Sequence, residues 1–285
     1  MLANRRTKAN YQRSTHKADA AVQKIGYPLA TADPRFGDAK ITTIALKFFP
    51  ARVGADRNAF LIFTALVWVA VLSGFGTDTF NHLSKYGLDY PLIVHFHAVA
   101  FVGYLTLFTV QVALIRNARA DIHRRLGLAG ALLASIMVVL GPATALVVDA
   151  GRFTAAGTTP EFLAVQLIDI LAFAGLTAAG LLLRARPAAH KRLMLLALIY
   201  ISDDGFARLL NGALAGPLAL GEWAELYLGS DLLLLAFGVY DLTTRARLHP
   251  AYIAGVLWTI TLQITALRLL GNPIWKALSL HLIGH

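Results

Sequence analysis

Seven apolar stretches recur along the chain, at roughly residues 58–77, 91–115, 124–148, 161–183, 190–214, 225–243 and 250–270. Each reaches about 19 residues or more. A helix rising 1.5 Å per residue needs about 20 residues to cross a hydrocarbon core of about 30 Å. Only helices satisfy the backbone within a single lipid-exposed segment of this kind. The pattern therefore predicts an all-α, polytopic membrane helix bundle with seven transmembrane helices. It divides the chain into a basic N-terminal segment (1–57), a transmembrane domain (58–270) and a short tail (271–285).

Composition agrees with lipid as the solvent. Apolar residues make up 57% of the 285 positions and charged residues only 15%, against about 25% charged in ordinary soluble domains. The lipid bilayer is the first partner this implies, with a membrane-protein partner or a second copy of the chain as further possibilities. The net charge of +10 does not indicate nucleic acid. Eleven of the 26 Lys and Arg residues precede residue 58, most others flank apolar runs, and the interleaved aromatic and basic residues of a nucleic-acid surface are absent. No apolar core follows the first charges, as a secretory leader would require. The piece 41–53, ITTIALKFFPARV, reads either as an amphipathic surface segment or as a solvated arm.

The loops orient the bundle. With residues 1–57 in the cytoplasm, the inner connections hold Arg116, Arg119, Arg124 and Arg125, then Arg184, Arg186, Lys191 and Arg192, then Arg245 and Arg247. The outer loops and tail hold only Lys85, Arg152 and Lys276. The basic residues thus divide 21 against 3, with Arg208 and Arg268 inside spans. This is the asymmetry of the positive-inside rule. It places the N-terminus inside and the C-terminus outside, in a cell's inner (plasma) membrane. Trp223, Tyr227, Trp258, Trp275 and Tyr90 near span ends are expected as interfacial anchors.

Three inner loops end alike: RADIH at 119–123, RPAAH at 186–190 and RARLH at 245–249. Each places a histidine at the start of an outward-running span. Either His123, His190 and His249 are basic interfacial residues, or two or three of them converge on a haem iron or a divalent metal ion. The chain has no cysteine, so thiolate sites and iron–sulfur clusters are excluded, and a bis-histidine haem b is the simplest cofactor. The positive end of a helix dipole favours the neutral, ligating imidazole. Arg119, Arg124 and Arg186 beside it suit propionates or anionic lipid.

Ionisable residues also fall inside the spans, where each costs about 2.5–3.5 kcal/mol at the helix centre. His95, His97, Asp169, Asp203, Asp204, Arg208 and Asp231 all count to the outer half. His95, His97, Asp169, Asp204 and Asp231 are candidates for a metal site there. Asp204 and Arg208, four apart, share a helix face and are expected to pair. His95 and His97 point about 200° apart on a helix, and His97 is the better candidate to face inward. His281 and His285 form an i, i+4 pair in the tail, without the general base that such a pair has in metalloproteases.

The strings HFHA (95–98), HRRLG (123–127) and RPAAHKRLM (186–194) resemble those of a bacterial family of uncharacterised polytopic membrane proteins, over roughly residues 55–275. That resemblance implies a shared membrane bundle and no particular reaction. A more distant likeness is to the diheme b-type membrane cytochromes, whose haem ligands lie near the ends of four successive helices. His97, His123 and His190 match three of those places. The span 161–183 holds no histidine, so the likeness implies an inner haem on His123 and His190 and leaves His97 without an opposite ligand. The function expected first is thus a membrane redox or cofactor-binding protein. A membrane metallo-enzyme at the outer cluster, a proton-coupled transporter using His97, Asp169, Asp204 and Arg208, and a non-catalytic assembly subunit are the alternatives.

Overall fold

The structure, a computed structural model, describes residues 53–210 and 221–285. The basic segment before residue 53, including most of the amphipathic candidate 41–53, lies outside the described residues. All nine described elements are α-helices: α1 (Val53–Tyr86), α2 (Leu92–Arg116), α3 (Ala120–Ala156), α4 (Leu163–Leu182), α5 (Pro187–Ile201), α6 (Asp203–Leu210), α7 (Glu222–Arg245), α8 (Pro250–Leu269) and α9 (Pro273–Leu282). Six of them, α1 to α4, α7 and α8, are long and apolar enough to cross a membrane.

The fifth apolar stretch is not one helix. It divides at Ser202 into α5, of 15 residues, and α6, of 8. Neither half alone spans the roughly 30 Å of hydrocarbon. The residues at the break explain it. Ser202 turns both its N–H (3.2 Å) and its hydroxyl (2.7 Å) onto the Ile199 carbonyl, and the Asp203 carboxylate accepts the backbone N–H of Asp204 (2.8 Å). Short polar side chains that satisfy the backbone locally compete with the i→i−4 ladder. Apolar periodicity does not register this competition, because Ser202 and Asp203 sit within an otherwise greasy run.

α5 is the centre of the bundle. Leu195 through Tyr200 are each no more than 1% exposed, as expected of a helix surrounded on all faces. It packs against α4, α7 and α8, with α1 at its side, while α2 pairs with α3 and α6 lies between α1 and α7. The outer surface is apolar in the manner of a lipid-facing one: Ile62, Leu72, Leu132, Val139, Leu235, Leu257 and Ile264 are all exposed. α3, at 37 residues, is about 55 Å long and outreaches the hydrocarbon.

Glycines allow the closest approach, between α1 and α6. A Cβ at Gly74 would collide with the Gly205 carbonyl oxygen, and one at Gly205 would stand 3.2 Å from the Ala70 carbonyl oxygen. Backbone cannot yield as a flexible side chain does. Gly74→Val is therefore expected to destabilise the bundle by about 1–3 kcal/mol, the usual cost of overpacking, whereas Gly76→Val, with open space around it, should cost far less. Thermal denaturation of the two variants in detergent makes the comparison.

The tail is ordered as α9. Asn272 caps it by accepting the N–H groups of Ile274 (2.9 Å) and Trp275 (3.2 Å). Trp275 is buried and donates to the Glu161 carbonyl (2.9 Å), and Lys276 pairs with the Glu161 carboxylate at 3.1 Å. That ion pair holds the Glu161 carboxyl below its ordinary range. His285 lies beyond the last helical turn with its ring against Phe153, so His281 and His285 do not present two imidazoles from one helix face.

Candidate functional site

Two polar assemblies stand out, one at each end of the bundle. At one end, His123 and His190 face one another from the starts of α3 and α5, with ring centroids 6.3 Å apart and planes at 79°. Each is the fourth residue of its helix, and the equal register accounts for their meeting. His190 Nδ1 lies 2.8 Å from the Gly180 carbonyl oxygen. It must carry the proton to bond there, which leaves Nε2 as the acceptor or ligand. His123 Nδ1 is buried with no hydrogen-bond partner among the described residues. An imidazole ring fixed through one nitrogen to a backbone carbonyl, with the other free, is the usual arrangement of a metal-binding histidine. Imidazole is a donor suited to iron, copper or zinc.

His249 does not join them, although its Arg-x-x-x-His string matches theirs. It is the residue before α8 rather than the fourth within it, and its Nδ1 accepts the Ala251 N–H at 3.0 Å. Among the described residues no three His, Asp or Glu side chains gather to hold a metal ion. Of the two or three histidines expected to converge, the structure brings His123 and His190 face to face and leaves His249 apart. Of the flanking arginines, Arg119 reaches Asp121 at 3.4 Å and Arg124 bonds the Ala120 carbonyl at 3.2 Å. Both are exposed, as is Arg186.

His249 belongs instead to an ionic core that motif reading missed. Arg192, 1% exposed, grips Asp241 through Nε (2.6 Å) and Nη2 (2.7 Å) and also bonds the Ala188 carbonyl (2.7 Å). Arg245 reaches Asp241 at 3.0 Å and also pairs with Asp56. Lys191 pairs with Asp56, and Tyr240 donates to it at 2.6 Å. The network ties α1, α5 and α7 together at one level. Burial pushes the Asp56 carboxyl up, but the hydrogen bonds from Lys191, Tyr240 and Arg245 outweigh it and hold the group below its ordinary range. A signal was present in the sequence: Asp241 and Arg245 are i, i+4, and Lys191 and Arg192 follow Pro187, which opens a helix, by more than one turn. They therefore stand inside the span and not in the loop.

Burial, with the neighbouring Arg192 charge next, drives the His249 imidazole down to about 4. Its capping bond requires an unprotonated Nδ1, and a helix N-terminus disfavours a cation. A folded-state value below the unfolded one, about 6.5, means the unfolded chain takes up the proton first. Stability from this group is thus complete above about pH 6.5 and falls as pH drops toward 4. Melting temperatures across that range should show the loss. His249→Asn, which keeps a capping acceptor and does not titrate, should flatten it.

At the opposite end, Asp169 on α4 accepts hydroxyl bonds from Tyr200 (3.0 Å) and Tyr227 (3.4 Å), whose rings stack nearly parallel. Tyr227 is fully buried. It is not an interfacial anchor, because its hydroxyl is used on Asp169. Trp258 likewise donates to the Ala172 carbonyl inside the bundle (3.3 Å). Asp203 is 4% exposed, while Asp204 turns outward and pairs with Arg208 at 3.2 Å; Arg208 also reaches Asp78 at 3.5 Å and lies over the Phe75 ring. Asp231 accepts from Gln263 at 2.8 Å. His97 is partly buried beside Phe101 and within electrostatic reach of Asp204, whereas His95 is exposed near Tyr90. Among the described residues, no three of His95, His97, Asp169, Asp204 and Asp231 gather as a metal cage.

The fold and its apolar surface define a multi-pass, all-helical membrane bundle. No family model matches the chain, and searches of curated proteins and of solved structures return no match.

Proposed function

We propose that this chain is an inner-membrane redox protein holding one iron centre, a b-type haem, between His123 and His190 at its cytoplasmic face. The observation that carries the proposal is the pair itself: two imidazoles at the same helical register, 6.3 Å apart, one of them oriented by the Gly180 carbonyl. In the proposed arrangement the broken helix α5–α6 makes a seventh crossing. The N-terminus is then cytoplasmic and the C-terminus outside, in keeping with the 21 against 3 distribution of basic residues.

Such a group, when bound, supplies one-electron transfer. The chain's own residues do the rest. Both imidazoles stand in the first turn of their helices, where the positive end of the dipole disfavours a cation. The Gly180 carbonyl fixes the His190 tautomer and raises its basicity as a ligand. Arg119, Arg124 and Arg186 place positive charge where carboxylate groups of a cofactor, or anionic lipid, would lie. The ionic core of Arg192, Asp241, Arg245 and Asp56 holds α5 in position below the site.

The test is the absorption spectrum and metal content of detergent-purified protein after haem-replete expression. A Soret band that shifts on dithionite reduction, with iron bound, is expected. Pure, folded protein with neither the band nor iron would overturn the proposal.

A further inference from the structure

We propose that the break between α5 and α6 is an intramembrane proton-binding site, with Asp203 the carboxyl that takes up and releases the proton. This is independent of the iron site, which lies at the other end of the bundle.

The geometry at Asp203 carries the inference. One of its carboxylate oxygens accepts the Asp204 N–H. The other is buried with no hydrogen-bond partner among the described residues, in a residue only 4% exposed. A buried carboxylate without a partner is costly in any interior and more so in lipid. Asp169 is differently placed: two phenol hydroxyls donate to one of its oxygens. The two carboxyls are within electrostatic reach of each other, which disfavours charge on both at once.

The charged groups on every neighbouring element leave this balance in place. On α6, the cation Arg208 is shared between Asp204 and Asp78 of α1. On α7, Asp231 adds negative charge, already bonded to Gln263 of α8, and Tyr227 is neutral. On α5, Tyr200 is committed to Asp169. On α2, His97 senses Asp204. Among the described residues, no side chain is placed to neutralise Asp203.

A proton fits better than a metal cation. A cation needs several oxygens at once, yet the Ile199 carbonyl at the break accepts two bonds from Ser202, and the Ser202 carbonyl accepts from Gly205 and Phe206. Broken membrane helices are where transporters place coupling ions. The outward path is polar: Asp204 and Asp78 are both more than half exposed. The step is the transfer of one H⁺ between the Asp203 carboxyl and outer-side water by way of the Asp204 carboxylate, with no other bond made or broken.

Infrared spectroscopy of the full-length protein in liposomes, over a pH series, tests this. The wild type should show a protonated-carboxyl C=O band that fades as pH rises. Asp203→Asn should remove that band, Asp203→Glu should shift it, and Asp204→Asn should keep it while changing its pH midpoint. Absence of the band at all pH values, its persistence in Asp203→Asn, or its loss at constant pH on adding sodium or potassium would each overturn the proposal. Asp203→Asn mimics the neutral carboxyl and should fold. If it does not, the Asp203→Glu shift decides alone. None of these readouts involves iron.

Discussion

Asp241→Ala should cost this protein about 3–5 kcal/mol, the usual penalty for stripping the partner from a buried ion pair. Asp241 is fully buried and receives three charged hydrogen bonds, two from Arg192 and one from Arg245. Its removal leaves the Arg192 guanidinium, 1% exposed, facing a void where its counter-charge stood. Arginine does not escape by deprotonating. The loss comes from an orphaned charge and not from a lost attraction, and this has a distinctive consequence. The double variant Arg192→Met, Asp241→Leu removes both charges and should recover most of the stability, because a buried pair replaced by apolar residues is often neutral or better. Denaturation of the three proteins in one detergent measures it. A single variant within about 1 kcal/mol of wild type, the range of exposed pairs, would mean the network is solvated and not buried.

The second large effect concerns the proposed iron site. His190→Ala and His123→Ala should each abolish the Soret band or reduce it to a weakly held remnant, since each removes one of the two side chains that would hold the proposed group. His249→Ala should leave the band at wild-type intensity, because that ring caps α8 among Arg192 and Asp241 and does not face the pair. From the repeated Arg-x-x-x-His strings the three histidines look equivalent; the structure makes two of them partners and the third a cap. Comparable loss in all three variants would place the cofactor elsewhere.

How much was legible in the sequence depends on the length scale of the physics. Hydropathy over windows of about 20 residues located six helices, because lipid imposes that length on each. The fifth stretch kept its greasy average while Ser202 and Asp203 broke it, a matter of single hydrogen bonds that averaging cannot see. The pairing of Asp204 with Arg208 was legible because i, i+4 spacing is local. The bond from Tyr227 to Asp169 crosses 58 residues of chain, and nothing in either neighbourhood announces it. Arg192 illustrates the opposite error. Counted as one more cytoplasmic loop charge, it supports the topology, but it sits one turn inside α5 and is the most buried cation of the inner core. Asp203 was passed over for Asp204 on the same grounds, since adjacent carboxyls differ only in which way the helix turns them.

The central claim is that His123 and His190 together ligate one iron. Electron paramagnetic resonance of the oxidised, purified protein tests it most directly. Two imidazole ligands predict a low-spin ferric signal that is lost in His190→Ala. A high-spin signal in the wild type, or a protein that carries no iron after haem-replete expression, would contradict it.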